Sequence, residues 1–387
     1  MPRASRAYLD YNATAPLRPQ AREAMLSAFD ALGNPSSTHA EGRAAREVLE
    51  RARRVLAGGL GAAPRNLVFT SGATEAANLA LTPNLQLGRN ENPFDRLLVS
   101  GGEHAATLLG HRFPAGQVET LPLTAQGALD LEALEDALKR AAGQRIVLAL
   151  QAVNNETGAI QPVREAADRV HAAGGVLVCD ATQAVGRCAA TFSTLNADVL
   201  FFSSHKLGGP FGAGALAFAR DDIHIRDAVL KGGGQEGGRR SGTENVAAAA
   251  GFAAAFSASI ENLDAEIARL GALRDAAEAK VAEILPSAQF LCREGTRAPN
   301  VCAFLAPGFV PQTMAMALDL EGVAVSSGSA CSSGKVRPSH VLAAMGLKED
   351  RLLRVSLGWS SKPEDVELFG IALARVAARM RPRRSAA

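Results

Sequence analysis

Six short apolar runs, at residues 67–69, 97–99, 146–150, 176–179, 199–202 and 213–218, constrain this chain more than any other feature. Amphipathic stretches such as LDLEALEDALKRA separate several of them. Strands alternating with helices predict a mainly parallel sheet covered on both faces, because a parallel strand needs a crossover and that crossover is usually a helix. The stretches LRPQAREAMLSAFDALG and EGRAAREVLERARRVLAGG predict two helices before the first strand, each stopped by glycine. Further on, SIENLDAEIARLGALRDAAEAKVAEIL predicts a helix bridging to a second unit, where NVCAFLAP, MAMALDLEG, VAVSSG, LLRVSLG and a terminal helix imply a smaller α/β domain. The expected division is a large domain over residues 1–260, including the N-terminal segment, and a small domain over 261–387.

Composition narrows the partners. The chain has 387 residues, 47% hydrophobic and 21% charged, and a formal charge of +2, so no global field invites nucleic acid. The basic end (Arg379, Arg381, Arg383, Arg384) reads as a solvated terminus. The start, MPRASRAYLD, has no apolar core of signal-peptide length, and the alanine-rich run 246–260 is too short to span a bilayer. Five cysteines show no CxxC pair and no zinc-type spacing. No resident metal and no membrane are expected, and a reducing cytoplasm is.

Chemistry enters with FFSSHKLGGPFGAGAL, where Lys206 follows a buried run and glycines crowd in behind it. A lone lysine is ordinarily a surface charge. A second run, VLVCDATQAVG, ends in Asp180, with Gln183 soon after. An aspartate there is ordinarily a helix N-cap. Ligands of open parallel sheets bind outside the carboxyl ends of strands, and a lysine and an aspartate at two such ends suit pyridoxal phosphate. The lysine forms the Schiff base and the aspartate keeps the pyridine nitrogen protonated. In FTSGATEAANLAL a strand runs through Ser71, Gly72, Ala73 and Thr74 into a helical pattern, which offers a helix N-terminus to the phosphate.

The blocks YLDYNATAP, GNPSSTHAEG, FTSGATEAANLAL, EHAATL, VNNETGAIQPV, DATQAVG, SSHKLGGP, GGGQEGGRRSGTEN and SSGSACSSG together resemble the NifS/IscS-type cysteine desulfurases of the class V aminotransferase family. The resemblance runs from Tyr8 to the terminal helix. It implies the fold-type I arrangement of pyridoxal-phosphate enzymes, with a seven-stranded sheet, and a homodimer. It also implies a reaction that takes sulfur from L-cysteine to leave L-alanine and a persulfide on Cys331. By that similarity Lys206 carries the cofactor, Asp180 pairs with its ring nitrogen, Gln183 bonds its ring oxygen and His104 stacks on its face and handles protons. Ala73, Thr74, Ser203 and His205 match phosphate-binding positions, and Thr243 matches one reaching the neighbouring subunit's site. Asn155 matches a cofactor- and substrate-binding position, Arg354 a clamp on the substrate carboxylate, and Asn34 a helper on the same side. Cys331, in a Ser/Gly-rich stretch that reads as a mobile exposed loop, would pass sulfur to an iron–sulfur scaffold or another acceptor, and could be a transient iron–sulfur ligand in a scaffold complex. Other readings are a class V aminotransferase or lyase, a selenocysteine lyase, and a non-catalytic scaffold. The chain departs from the family at Ala15, where a second threonine is usual, and at Gly237, where an arginine is usual.

Overall fold

The six runs become strands buried on both faces, and a seventh joins them. The computed structural model describes residues 6–30, 32–328, 339–348 and 351–380. Its main sheet contains β1 (Leu67–Thr70), β2 (Arg96–Ser100), β3 (Val118–Leu121), β4 (Ile146–Gln151), β5 (Val176–Asp180), β6 (Val199–Ser203) and β7 (Gly214–Phe218). The spatial order is β1-β7-β6-β5-β4-β2-β3, parallel throughout except that β7 runs antiparallel to both its neighbours. Successive residues feed opposite cores. Val199 and Phe201 join Val176, Val178, Leu97 and Val99 on one face, whereas Leu200 and Phe202 join Leu177 and Cys179 on the other.

Three helices pack together beside the second face: α1 (Pro19–Phe29), α2 (Ala40–Leu60) and, much later in the chain, α4 (Val246–Ile260), after α3 (Ala73–Ala80). The glycine stops expected for the first two are corrected in part. Helix α1 ends at Asp30, before any glycine, and α2 runs through Gly58 and Gly59 to a left-handed cap at Gly61. The reason is packing: a Cβ on Gly59 would stand 2.2 Å from the Phe256 ring of α4, so glycine there admits close helix contact.

The chain leaves α4 at Ile260 and enters α5 (Leu263–Ile284). Helix α5 and the last helix α6 (Pro363–Met380) cover a second, antiparallel sheet. It is ordered β8 (Gln289–Phe290), β9 (Val301–Leu305), β11 (Leu352–Ser356), β10 (Ser326–Ser327). The N-terminal segment belongs with this smaller core. Residues Ala7–Tyr8 pair with Val323–Ala324, and Ala7 and Leu9 are buried in it. Among the described residues no single helix is long and apolar enough to cross a membrane.

One buried ion pair holds the glycine-rich loop before α4 against the sheet. Both Arg53 Nη atoms donate to Glu236, at 2.6 and 2.7 Å, while Glu236 also accepts the Phe69 N–H and Arg53 reaches Leu67 O. The loop turns there through left-handed backbone at Glu236 (φ 51) and Gly237 (φ 66). Positive φ costs glycine least, which accounts locally for Gly237. Removing one partner of a buried pair strands the other charge. Arg53→Met is therefore expected to cost about 3–5 kcal/mol, read as a lower denaturant midpoint. The double variant R53M/E236Q should recover part of that loss.

Candidate active site

Strand register builds the site. Gln151 at the end of β4 stands opposite Asp180 at the end of β5, and Asp180 stands opposite Phe201 of β6, two residues before Ser203. The carboxyl ends of three neighbouring parallel strands thus open on one side, where open α/β sheets bind ligands. They border a cavity of about 400 Å³ lined by Ala73, Thr74, His104, Asn155, Asp180, Gln183, Ser203, His205 and Lys206.

Lys206 sits on a 3-10 turn, Ser204–Lys206, directly after β6. Its Nζ donates to the carbonyls of Asn12 at 2.5 Å and Ala13 at 2.7 Å, so the N-terminal loop holds the amine. The glycines behind it serve packing more than open space. Gly208 has φ +86 and a Cβ there would stand 2.9 Å from Pro16 O, while one on Gly209 would stand 2.1 Å from Ser204 Oγ. Gly212, by contrast, has nothing within 4 Å of such an atom.

Asp180 is buried, and its Oδ1 accepts the Thr182 N–H at 2.8 Å. Burial raises its pKa, opposed by the Thr182 hydrogen bonds and by the His104 and Lys206 charges. A protonated pyridine nitrogen is the cation that such a carboxylate needs. His104 caps the short helix Ala105–Leu108, its Nδ1 accepting the Ala106 N–H at 3.1 Å, which leaves the proton of the neutral ring on Nε2. Burial pushes its pKa down, with Lys206 and His340 adding to the effect and Asp180 opposing it. A neutral aromatic ring suits stacking.

The phosphate end is equally specific. Helix α3 starts right after Gly72, and its first-turn N–H groups have no partner within the helix. A Cβ on Gly214 of β7 would stand 2.6 Å from Gly72, so only glycine lets the two backbones approach this closely. Glu75, in that first turn, is neutralised by Arg240 at 2.9 Å and would not repel an anion. A helix N-terminus, a tethered lysine, a buried carboxylate and a neutral imidazole around one cavity fit pyridoxal phosphate.

Other expected residues lie elsewhere. Arg354 is buried outside the cavity wall, donating from Nη1 to Asn155 O and from Nη2 to Asp10 at 2.7 Å each. Among the described residues its buried Nε has no hydrogen-bond partner. Asn34 is exposed in its own turn, accepting the Ser36 N–H, and the structure does not bring it to the cavity. Thr243 is exposed and lines an adjoining cavity that shares Ser71 and Gly212 with the first. Cys331 lies outside the described residues, and described residues on either side of it pair with neighbours of the cavity wall. Ser326 pairs with Arg354, and His340 Nε2 bonds the Glu103 carbonyl at 2.8 Å, one residue before His104.

Sequence reasoning missed several contributors. Asn12 accepts from both Lys206 and Gln183 and bonds Asn155 and Asn300. Phe211 stacks on His205 at 5.4 Å, Thr14 holds the same imidazole, and Glu103 is wholly buried behind His104. Asn12, Thr14 and Phe211 lie inside motifs already quoted, so the signal was present, but the pairing was not.

Fold and site together define a fold-type I pyridoxal-phosphate enzyme. The aminotransferase class-V family model matches residues 7–369. An IscS-like cysteine desulfurase of Mycobacterium tuberculosis is 37% identical, with 93% of each chain covered. A cysteine desulfurase of Frankia sp. is 38% identical over 97% of this chain and 92% of its own. Among solved structures, a NifS-like protein from Rickettsia africae superposes with a TM-score of 0.85 at 30% identity, covering 96% of this chain and 99% of its own. The chain belongs to the class-V aminotransferase family, in its NifS/IscS-type cysteine desulfurase branch.

His205 provides a pH test. Burial, then the Lys206 and Arg187 charges, push its pKa down from 6.5 to about 4. The unfolded chain therefore takes up a proton that the folded chain refuses, so stability falls as pH drops through that window. Between pH 7 and pH 5 the cofactor-free wild type should lose more of its denaturation midpoint than His205→Asn does.

Proposed function

We propose that this chain uses Cys331 to take sulfur from L-cysteine as a protein persulfide, releasing L-alanine, and passes that sulfur to an acceptor protein. The observation that carries the reading is the meeting of Lys206, Asp180, His104 and the α3 N-terminus in one cavity, with Ser326 paired to Arg354 and His340 bonded to the Glu103 carbonyl next to His104. When bound, the cofactor supplies an electrophilic carbon for the substrate amine and a sink for electrons released at the α-carbon.

The protein's own groups do the rest. Ala73, Thr74, Ser203 and His205 would hold the phosphate end, and Asp180 would keep a proton on the ring nitrogen. The Lys206 amine would be the base for the substrate α-proton. Asn155 stands in the cavity wall with its carbonyl held by Arg354 from behind, and the carboxylate clamp expected of Arg354 would need that wall to part. The Cys331 thiolate attacks the substrate sulfur. An S–S bond forms, the Cβ–S bond breaks, and its electron pair stays with the carbon skeleton, which gains protons and leaves as L-alanine. His104 moves protons between the thiols and the skeleton.

The remaining thiols support the choice of nucleophile. Burial pushes the Cys179, Cys292 and Cys302 thiols up, and that of Cys188 to about 11. None of those four is a thiolate near neutral pH, and the thiolate is the reactive form. The assembly proposed is a homodimer in the cytoplasm, with Thr243 reaching the partner subunit's phosphate and an iron–sulfur scaffold taking the sulfur. The exposed place of Thr243, outside its own cavity, supports that reading.

Lys206→Ala should abolish turnover and the visible absorbance of the lysine-linked cofactor; absorbance that borohydride fixes onto another lysine would refute the assignment. Cys331→Ala should stay yellow and bind L-cysteine but release neither alanine nor sulfide. Alanine formation at the wild-type rate by that variant would sink the persulfide mechanism. Thr243→Ala should weaken cofactor retention by about tenfold or more, the worth of one hydrogen bond to a charged group, as measured by equilibrium dialysis.

A further inference from the structure

Arg187 is a buried charge that the mechanism leaves unused. It lies one turn past Gln183 and is only 5% exposed. Nη1 donates to the Gln183 side-chain oxygen at 2.5 Å and to the Gln183 carbonyl at 3.3 Å. Nη2 donates to the carbonyls of Lys206 at 3.1 Å and Tyr11 at 3.3 Å. All these acceptors are neutral, and among the described residues no carboxylate pairs with it. Burial lowers its pKa, with the Arg354 and Arg18 charges adding, but only to about 10, so the guanidinium stays charged near neutral pH.

A buried cation with neutral partners is costly, and nearby anions are what relieve it. Two chemical facts then follow from the contacts. A guanidinium only donates, so the Gln183 amide must turn its oxygen toward Arg187 and its nitrogen away. That nitrogen gives one hydrogen to Asn12 O at 3.0 Å, and Gln183 also lines the cavity, so the second hydrogen is available to a ligand acceptor. We propose that Arg187 is a positioning residue for the cofactor: it fixes the Gln183 amide as a donor toward the ring oxygen and sets a permanent positive charge behind Lys206. This rests on the reading of the cavity as a pyridoxal-phosphate site.

A fixed cation disfavours protonation of the cofactor–lysine chromophore, so its pH midpoint sits low in the wild type. Other charges act on the same region. Lys206, His205, Tyr11, Arg18, Arg354 and Cys188 face Arg187, Glu266 lines the same small cavity as Arg187, and Asp180 and His104 border the main one. Substitution at 187 alone leaves all of these in place.

The test is a spectrophotometric pH titration of the holoenzyme without substrate, with cofactor dissociation measured alongside. In Arg187→Met the midpoint should rise by about one pH unit or more. In Arg187→Lys, which keeps the charge but loses the planar fork, it should move less than half as far, while cofactor dissociates several-fold faster. Arg187→Gln carries the same test if the methionine variant does not fold. A wild type that acquires no visible band on incubation with pyridoxal phosphate would overturn the reading of the cavity. A wild type that does, with the midpoint unmoved in R187M or R187Q, overturns the proposal alone. Unchanged dissociation in R187K overturns the positioning of Gln183.

Discussion

The parallel register of β4, β5 and β6 is the constraint on which the rest depends. It sets Gln151 against Asp180 and Asp180 against Phe201, so that three chain segments leave the sheet on the same side. Sliding β5 by one residue would exchange its two buried faces, moving Leu177 and Cys179 into the core that now holds Val176 and Val178. Hydrophobic packing on both faces therefore locks the position of a carboxylate that packing itself has no use for.

The site is also a junction between two cores. Asn12, on the segment whose first residues pair with the smaller unit, donates to Asn155 O, accepts from Asn300 and offers its carbonyl to both Lys206 and Gln183. Ser356 of β11 accepts the Asn12 N–H, and Arg354 of the same strand reaches Asn155 and Asp10. The Lys206 amine thus rests on a loop whose other contacts run to Asn155, Asn300 and Ser356 of β11. Displacement of Lys206 from those carbonyls would be felt on both sides of the cleft. This links the fold to the exchange of amines that the chemistry requires.

Charge distribution separates held groups from reactive ones. Burial keeps the Cys179, Cys188, Cys292 and Cys302 thiols protonated and His104 neutral, while Glu103, wholly buried, has its pKa raised well above the usual carboxyl range, chiefly by burial. Lys206 brings an amine to the cavity wall, and Arg187 sets a buried guanidinium behind it. A cofactor with a phosphate and an acidic ring hydroxyl meets these groups with opposite charge.

Much of this was legible in the residues alone. Apolar runs of strand length forced a parallel sheet, because a chain that buries both faces of each strand needs crossovers. Lys206, Asp180 and the Ser71–Thr74 turn could be placed at strand ends because the runs end there. The edge strand β3, with Glu119 half-buried and Thr120 exposed, carries no apolar run and gives no such signal. Gly59 of α2 reads locally as a stop because its real partner, Phe256, lies about two hundred residues away. The docking of Ala7 and Leu9 into the smaller core, the turn of the Gln183 amide toward Arg187 and the burial of Arg354 behind Asn155 were decided only by tertiary structure. Local sequence specifies which groups a segment offers and how they alternate. Which distant group completes each one depends on how the two cores meet, and that is a property of the folded chain.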